Sequence, residues 1–388
     1  MRTALIYLLP LVALLMSGVQ ASRAAEEQSS VKQIDALISS VTKPTEPGLA
    51  VLVKKDGKVT FEKGYGMRQL GGAAKITPET NFRLASVSKQ FTAMSIMLLV
   101  HDGKLHYDDR LTDIWPDFPA YGRAITIRHL LTHTSGLPDY EGLMEKAEAA
   151  GAPRWTATRQ IQNDEVLALL KKAKSGKFAP GTSWEYSNSG FVVLAQIVEK
   201  VSGMPFRDFV ERRIFAPLQM AHSVVYQKGI NEIRDRAYGH SKAKRRLVRT
   251  DQSSTSATLG DGGIYSNLED LAKWDEALQS RTLLSEQDMA PALVPVKLNN
   301  GSEPHWPTKG DSDNLEPGKP VSYGYGWFLN PYQGHARMWH SGTTMGFRLV
   351  VQRFTADHLT IIVLCNRMDC DASTLAPKIA ELIFAGKW

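Results

Sequence analysis

The segment from Gly48 to Gly66 decides how the sheet of this chain begins. It reads LAVLVKK over residues 49–55, then Asp56-Gly57, then KVTFEKGYG over residues 58–66. Strand-forming residues alternate on both sides of the Asp-Gly pair, and this pair favours the two-residue turn that joins antiparallel strands. The segment therefore predicts a β-hairpin.

Strand patterns return only near the other end of the chain, after a middle part that is mostly helical in pattern. The later predicted strands are Tyr323–Leu329, Ala336–His340, Gly346–Phe354 and Leu359–Leu364. The simplest arrangement is an antiparallel sheet built from both ends, flanked by helices, with an inserted helical lobe. We therefore predict an α+β fold, with a sheet lobe at about 31–104 and 253–388 and a helical lobe at about 105–252.

Apolar periodicity and capping residues place the helices. Ser266 and Glu269 have the spacing of a capping box before one of them, and Gly136 is placed to end another. The predicted helices are Val31–Val41, Gln90–Val100, Thr126–His133, Asp164–Lys174, Val192–Val201, Leu268–Gln279 and Leu375–Ala385.

The first 24 residues have the pattern of a secretory signal. Arg2 precedes the apolar run ALIYLLPLVALLM at 4–16, and small-residue cleavage sites end at Ala21 and Ala24. The run is shorter than the roughly 20 apolar residues that span a bilayer, although an uncleaved anchor is the alternative. We predict that residues 1–24 are removed and that the domain 25–388 is periplasmic or secreted, with no stable membrane span.

Composition indicates a globular protein with a modest positive charge. The 388 residues are 43% hydrophobic and 22% charged, and the formal net charge is +6. A basic cluster predicts a solvated loop or hairpin, with contact to anionic envelope polymers as the alternative, and no motif indicates nucleic-acid binding. The cluster consists of Lys242, Lys244, Arg245, Arg246 and Arg249.

The two cysteines, Cys365 and Cys370, lie close together in the sequence. Export permits a disulfide, and a pair of free thiols is the alternative. Their spacing is not that of a zinc site.

Ser86-Val87-Ser88-Lys89 carries the chemistry. It precedes the apolar run QFTAMSIMLLV at 90–100, and side chains three residues apart share a helix face. The Lys89 amine can then take the proton that makes the Ser86 hydroxyl a nucleophile. The alternative is a helix start with a surface lysine.

Three further motifs can complete a site around Ser86, and the third of them is Gly260-Asp261-Gly262-Gly263. Tyr186 precedes Ser187-Asn188 just before a helix, and its phenol, with an ordinary pKa of about 10, can serve as a base beside ammonium groups. His340-Ser341-Gly342 ends a predicted strand, where a backbone N–H could stabilise an oxyanion. A capped helix start and a structural histidine are the alternatives.

Other candidate sites are weaker. Gly260-Asp261-Gly262-Gly263 lacks the spacing of a phosphate loop and predicts a tight turn. His129 and His133 lack the glutamate of a zinc-binding helix, so we interpret both as structural. Asp108-Asp109 predicts a surface turn, and no G-x-S-x-G elbow is present.

Taken in order, these motifs make the chain resemble the serine β-lactamase-related hydrolases, a group that includes class C β-lactamases, D-alanyl-D-alanine carboxypeptidases, D-aminopeptidases and esterases. The resemblance spans nearly the whole mature chain. The matching segments are FRLASVSKQFTA (82–93), ITIRHLLTHTSGLP (125–138), WEYSNSG (184–190), FAPLQM (215–220), GDGGIYSNLEDLAKW (260–274), YGYGW (323–327) and WHSGTTMG (339–346).

The resemblance implies a β-lactamase/transpeptidase-like fold and a role for each matching residue. Ser86 would be acylated, with Lys89 and Tyr186 moving its proton. Asn188 would hold the substrate amide, and the N–H groups of Ser86 and Thr343 would form the oxyanion hole. His340, Ser341 and Gly342 would lie beside the substrate and contribute to its binding.

The chain differs from many members of this group in the charge of one motif. Many β-lactamases of the group carry Lys-Thr-Gly where this chain has His-Ser-Gly. A histidine with a pKa near 6.5 is positive only at low pH, so we expect binding of a substrate carboxylate to weaken as pH rises. Efficient β-lactam hydrolysis is therefore not expected.

We predict an exported serine hydrolase that acts through an acyl-enzyme and needs no metal or cofactor. Its expected substrates are peptidoglycan-like D-amino-acid peptides, esters or β-lactams that acylate it. The alternatives are a true class C-like β-lactamase and a non-catalytic protein that binds cell-wall fragments. The segment Asn299–Lys319 is expected to shape the pocket. Arg348 is interpreted as a surface or structural arginine, with contact to a substrate carboxylate as the alternative.

Overall fold

The computed structural model describes residues 28–308 and 318–386. The predicted signal at 1–24 and part of the polar segment 299–319 lie outside these residues. Among the helices that are described, none combines the length and the apolar character needed to cross a bilayer.

The main sheet has five antiparallel strands, which lie side by side in the order Lys58–Tyr65, Leu49–Lys55, Leu359–Cys365, Phe347–Phe354 and Arg337–Thr344. Two strands come from the start of the chain and three from its end, which confirms the predicted α+β fold. The strands are β1 Leu49–Lys55, β2 Lys58–Tyr65, β3 Phe82–Arg83, β4 Val224–Val225, β5 His240–Ala243, β6 Arg246–Arg249, β7 Ile264–Ser266, β8 Arg337–Thr344, β9 Phe347–Phe354 and β10 Leu359–Cys365.

The predicted hairpin is present, and its turn explains its register. Asp56 has φ +49° and Gly57 has φ +78°, as a two-residue turn of type I′ requires at both central positions. The hairpin then joins the end of the chain, because β1 pairs with β10 from Leu49 opposite Cys365 to Lys55 opposite Leu359.

Helices cover both faces of this sheet. The helices are α1 at 28–41, α2 Lys89–His101, α3 Leu111–Ile114, α4 Ile127–Leu131, α5 Tyr140–Ala149, α6 Asn163–Lys172, α7 Asn188–Ser202, α8 Phe206–Val210, α9 Leu268–Ser280, α10 Glu286–Met289 and α11 Ala372–Ala385. Single turns of 3₁₀ helix lie at Ala85–Ser88, Ala120–Gly122 and Ala290–Leu293, and a π-helical turn at Glu211–Phe215.

The strand period of two divides the core into two layers. Val51 and Val53 of β1 belong to the cluster that contains α1 and α11. Ala50 and Leu52 point the other way, into the cluster that contains α2 and α7. The sheet therefore separates a layer built by the chain ends from the layer that carries Ser86.

The structure corrects three local predictions. The segment 323–329 forms isolated bridges, Tyr323 with Phe328 and Phe328 with Trp339, rather than a strand. α9 is capped by Asn267, whose side chain accepts from the Asp270 N–H, so the predicted capping box at Ser266 is wrong. The helix predicted over 126–133 ends at Leu131, well before Gly136.

The structure also decides between the disulfide and the free thiols and confirms the predicted hairpin, whereas contact of the basic cluster with anionic polymers stays a prediction. Cys365 and Cys370 form a disulfide that joins the end of β10 to the turn before α11. The basic cluster lies on the β5–β6 hairpin, whose turn residues Lys244 and Arg245 are exposed.

Candidate active site

Ser86 lies in the single 3₁₀ turn Ala85–Ser88 that leads directly into α2. The residue before it, Ala85, has φ +45°, a conformation that costs a non-glycine residue energy and is often found at functional sites. Ser86 is partly exposed, whereas Val87, Ser88 and Lys89 are buried. The turn therefore presents one hydroxyl to solvent from an otherwise closed segment.

Lys89 is fully buried and donates to oxygens from three parts of the chain. Its Nζ lies 3.0 Å from Ser86 Oγ, 2.7 Å from Asn188 Oδ1 and 3.1 Å from the Asp261 carbonyl oxygen. A buried ammonium group is costly unless such acceptors surround it. These contacts fix Nζ against the hydroxyl, as the Ser-x-x-Lys spacing predicts.

Tyr186 and Asn188 reach the same point from the start of α7. The Lys89 Nζ lies 4.8 Å from the centre of the Tyr186 ring, within the range of a cation–π contact. Ser187 caps α7 by accepting from the Gly190 N–H. The cap fixes where the helix begins, and therefore where the side chains on either side of Ser187 point.

Strand β8 runs along the other side of the Ser86 turn. A Cβ placed on Gly342 would lie 2.4 Å from the Leu84 carbonyl oxygen and 3.3 Å from Ala85 Cβ. Only glycine allows this approach of the two backbones. It brings the backbone beside Thr343 close to the Ser86 turn, while the Ser341 side chain is half-buried and that of Thr343 exposed.

His340 is buried on β8 and differs from the sequence-based expectation. Burial, with a contribution from the Lys89 charge, lowers the pKa of His340 to about 3. Its Nδ1 lies 2.6 Å from the Ser341 carbonyl, which can only accept, so Nδ1 carries the proton and Nε2 accepts from the Tyr323 hydroxyl at 3.2 Å. The expected pH-dependent cation at His340 is therefore wrong, because this imidazole is neutral at ordinary pH.

His133 and Tyr323 of this neighbourhood were not predicted as site residues, whereas Asp261 belongs to the third motif, for which a tight turn was predicted. His133 packs its ring 4.4 Å from the Tyr186 ring, and its Nδ1 accepts from the Ser187 N–H at 3.0 Å. Asp261 contributes a backbone carbonyl to Lys89. Tyr323 holds His340. The interpretation of His133 as structural stays a prediction, and only the fold shows that its ring lies beside Tyr186.

Aromatic side chains form the wall next to Tyr186 and His340. Trp184, Trp306, Tyr323 and Phe328 make one buried cluster, against which Tyr186 and Trp339 pack. Phe328 stacks on Trp306 and on Trp339 at centroid distances of 5.6 and 4.8 Å. This wall is apolar and carries no fixed charge.

Arg348 lies outside this wall. It is exposed on β9 directly opposite Thr343, so the two side chains share a sheet face. His340 and Gly342 lie on the other face because side chains alternate along β8. In the described residues, no three His, Cys, Asp or Glu side chains gather as metal ligands.

Comparison with known proteins matches the chain to the family described as Beta-lactamase, over residues 34–383. Penicillin-binding protein 4* of Bacillus subtilis (strain 168) is 31% identical over 376 residues, which are 93% of this chain and 77% of that protein. Protein flp of Staphylococcus aureus (strain MW2) is 27% identical, covering 91% of this chain and 65% of that protein.

Several proteins of known structure have a similar fold. A penicillin-binding protein from Bacillus halodurans superposes with a TM-score of 0.70 at 26% identity, over 86% of this chain and 95% of that one. The D-amino acid amidase from Ochrobactrum anthropi SV3 gives 0.74 at 21% identity, over 93% and 99% of the two chains.

Proposed function

Because the chain belongs to the Beta-lactamase family and is a serine hydrolase, we propose that it hydrolyses uncharged amides and esters of D-amino acids through an acyl-enzyme on Ser86. The observation that carries the proposal is the position of Lys89 Nζ, 3.0 Å from Ser86 Oγ and 2.7 Å from Asn188 Oδ1. Lys89, the proposed base, therefore lies within hydrogen-bond distance of the proposed nucleophile and of the proposed amide-holding group.

Acylation is proposed to begin with attack of Ser86 Oγ on the substrate carbonyl carbon. The hydroxyl proton passes to the Lys89 amine or the Tyr186 phenolate, and the Ser86 and Thr343 N–H groups stabilise the oxyanion. Tyr186 then gives this proton, which it has received from Ser86 either directly or by way of Lys89, to the departing amine or alcohol. Attack of water on the ester releases the acid and restores Ser86.

The neutral state of His340 supports a preference for uncharged substrates. A neutral His340 offers no cation to a substrate carboxylate, and the adjoining wall of Trp306, Phe328 and Trp339 is apolar. A substrate that ends in a carboxylate would find no positively charged partner at His340, whereas an uncharged amide or ester needs none. A penicillin is expected to acylate Ser86 and to be released slowly.

The proposal is tested by comparing kcat/KM for a D-amino-acid amide, its methyl ester, the corresponding D,D-dipeptide with a free carboxylate, and a chromogenic cephalosporin. We expect the ester and the amide to exceed the other two by at least 100-fold. Ser86→Ala is the control for every substrate. Efficient cephalosporin turnover would make the protein a β-lactamase instead.

Two further outcomes would redirect the proposal. If the D,D-dipeptide is preferred and Arg348→Gln abolishes the preference, Arg348 supplies the carboxylate partner. If no substrate is turned over while fragments of peptidoglycan bind equally to wild type and Ser86→Ala, the protein is a binding protein.

We also propose export through residues 1–24, to be checked by N-terminal sequencing of the secreted chain.

A further inference from the structure

Tyr186 lies in the segment 183–187, which belongs to no helix or strand and leads into α7. Connecting segments are ordinarily more mobile than the elements that they join. A side chain that moves a proton must nevertheless be held within hydrogen-bond reach of its partners. The position of Tyr186 therefore depends on what holds this segment.

His133 is hydrogen-bonded to the residues on both sides of Tyr186. Its carbonyl oxygen accepts from the Glu185 N–H at 3.1 Å, and its ring Nδ1 accepts from the Ser187 N–H at 3.0 Å. Between these two contacts the His133 ring packs on the Tyr186 ring, with 4.4 Å between the centroids. His133 itself is 1% exposed and has φ +60°, which is uncommon for a residue other than glycine. One buried residue in an unusual conformation thus holds the backbone before and after Tyr186.

The ring of His133 is neutral, and its tautomer is fixed. Because Nδ1 accepts from a backbone N–H, the proton of the ring is on Nε2. Burial, with smaller contributions from Lys89 and His340, holds the pKa of His133 well below its usual value. The acceptor at Nδ1 is therefore present at any pH at which the protein is assayed.

The environment of Nε2 shows that packing alone does not explain a histidine here. In the part of the chain that the structure describes, this nitrogen is buried and has no hydrogen-bond partner, which lowers stability. A leucine would fill the space among Trp184, Phe191 and Tyr323 without that cost. What a leucine lacks is the acceptor for the Ser187 N–H.

We infer that His133 is a positioning residue, which holds the Tyr186 hydroxyl where it can give a proton to the leaving group. The inference rests on the function proposed above, in which Tyr186 protonates the departing amine or alcohol. His133 acts through Tyr186 and forms no bond to the substrate. The proton that reaches the leaving group is the one that Ser86 has given up.

The test compares two substrates that differ in their need for this proton. Ammonia leaves D-alanine amide only after its nitrogen has been protonated, whereas p-nitrophenolate leaves the p-nitrophenyl ester of D-alanine as a stable anion. The measured quantity is the amide-to-ester ratio of kcat/KM. In Tyr186→Phe, the reference variant, this ratio should fall by about 10²–10⁴, the usual contribution of a general acid.

Variants of His133 show whether it holds Tyr186 in place. His133→Leu should lower the ratio at least about 10-fold, because Tyr186 is present but less well placed. His133→Asn should restore it to within about 3-fold of wild type, since asparagine keeps an oxygen acceptor and tolerates positive φ. If His133→Leu does not fold, His133→Gly removes the same acceptor without backbone strain and should show the same loss.

His129→Asn is the matched control. The Nδ1 of His129 also accepts from a backbone N–H, that of Thr126 at 3.2 Å, but this N–H lies at the start of α4 and not in the Tyr186 segment. The amide-to-ester ratio of this variant should equal that of wild type. The thermal transition of every variant shows whether it is folded.

A folded His133→Leu that loses both activities equally, or neither, would overturn the inference. An equal fall of the ratio in His133→Asn or in His129→Asn would also overturn it. Wild type that hydrolyses neither substrate would overturn the proposed function itself, on which the inference depends. A Tyr186→Phe variant with the wild-type ratio would remove Tyr186 as the proton donor.

Discussion

Asn188 sets the environment of the Lys89 ammonium, since its side-chain oxygen is 2.7 Å from Nζ. Asn188→Asp replaces that oxygen by a carboxylate of the same shape, which favours the protonated amine. If Lys89 must be an amine to accept the Ser86 proton, the acid limb of the kcat/KM profile should move at least about one unit to higher pH. An unchanged profile in the variant would remove Lys89 from the role of base.

His340 links the site to the pH dependence of stability. Its pKa falls from 6.5 to about 3 on folding, so between these values the unfolded chain binds the extra proton. Stability from this group is present above pH 6.5 and is lost as pH falls toward 3, by at most about 1.4 kcal/mol per pH unit. His340→Gln should therefore lose less stability than wild type between pH 7.5 and 5.

Urea unfolding at the two pH values measures this difference. His133 is also buried and its pKa is also lowered, so the variant should retain part of the dependence. An identical loss in wild type and His340→Gln would contradict a neutral His340.

For individual residues, the sequence allowed prediction of those parts of the site that depend on the spacing of residues along the chain. Ser86 and Lys89 lie on one face because they are three residues apart, and this part was predictable from spacing. The contacts of Nζ with Asn188 and Asp261 come from distant parts of the chain and were not. The charge of His340 could not be predicted, because it depends on burial among Tyr323 and Phe328 and on a distance to Lys89 that only the fold sets.

Among the elements, β8 and the Ser86 turn meet at Gly342. Gly342→Ala would place a methyl group 2.4 Å from the Leu84 carbonyl oxygen, and the strand must move away. We expect kcat/KM to fall by about 10²–10³, the usual cost of losing an oxyanion donor. The measurement is steady-state hydrolysis of the preferred ester.

Gly142→Ala is the matched control for this change. A Cβ on Gly142 meets only Asp139 Oδ2 at 3.8 Å, and the residue lies in α5, where alanine is favourable. Its activity should equal that of wild type. Equal activity in Gly142→Ala and Gly342→Ala would show that the close approach of β8 is not needed for catalysis.

Elements whose conformation is set by neighbouring residues could be predicted from the sequence, and those set by tertiary contacts could not. The β1–β2 hairpin follows from Asp56-Gly57 alone. The segment 323–329 has strand-forming residues, yet its hydrogen bonds include those to Trp339 and to the Ala292 turn, and its Tyr323 and Phe328 side chains pack into the wall. Tertiary contacts decide its conformation.

For the whole molecule, the sheet joins the two ends of the chain, and the disulfide fastens one end of it. Cys365 and Cys370 are five residues apart, so the loop that they close is short. Reduction should lower the free energy of unfolding by only about 2 kcal/mol. Activity should not change, since β9 separates β10 from β8.

Chemical unfolding with and without dithiothreitol measures this effect. The double variant Cys365→Ala, Cys370→Ala is the control, because the reductant should not affect it. Loss of activity on reduction of the wild type would mean that the β10 end is coupled to the site.

The division between ends and middle could be predicted because strand patterns occur at both ends and helical periodicity between them. The strand order could not be read from the residues alone, because the pairing of β1 with β10 spans most of the chain. The limits of the two lobes remain a prediction.

The central claim is that Ser86 becomes covalently acylated with the help of Lys89 and Tyr186. The most direct test is mass spectrometry of the intact protein and its peptides after treatment with a penicillin and with an activated D-amino-acid ester. The account predicts one adduct, on the peptide that contains Ser86, and none in Ser86→Ala. Folded wild-type protein that gives no adduct with either reagent, or an adduct at another residue, would contradict it.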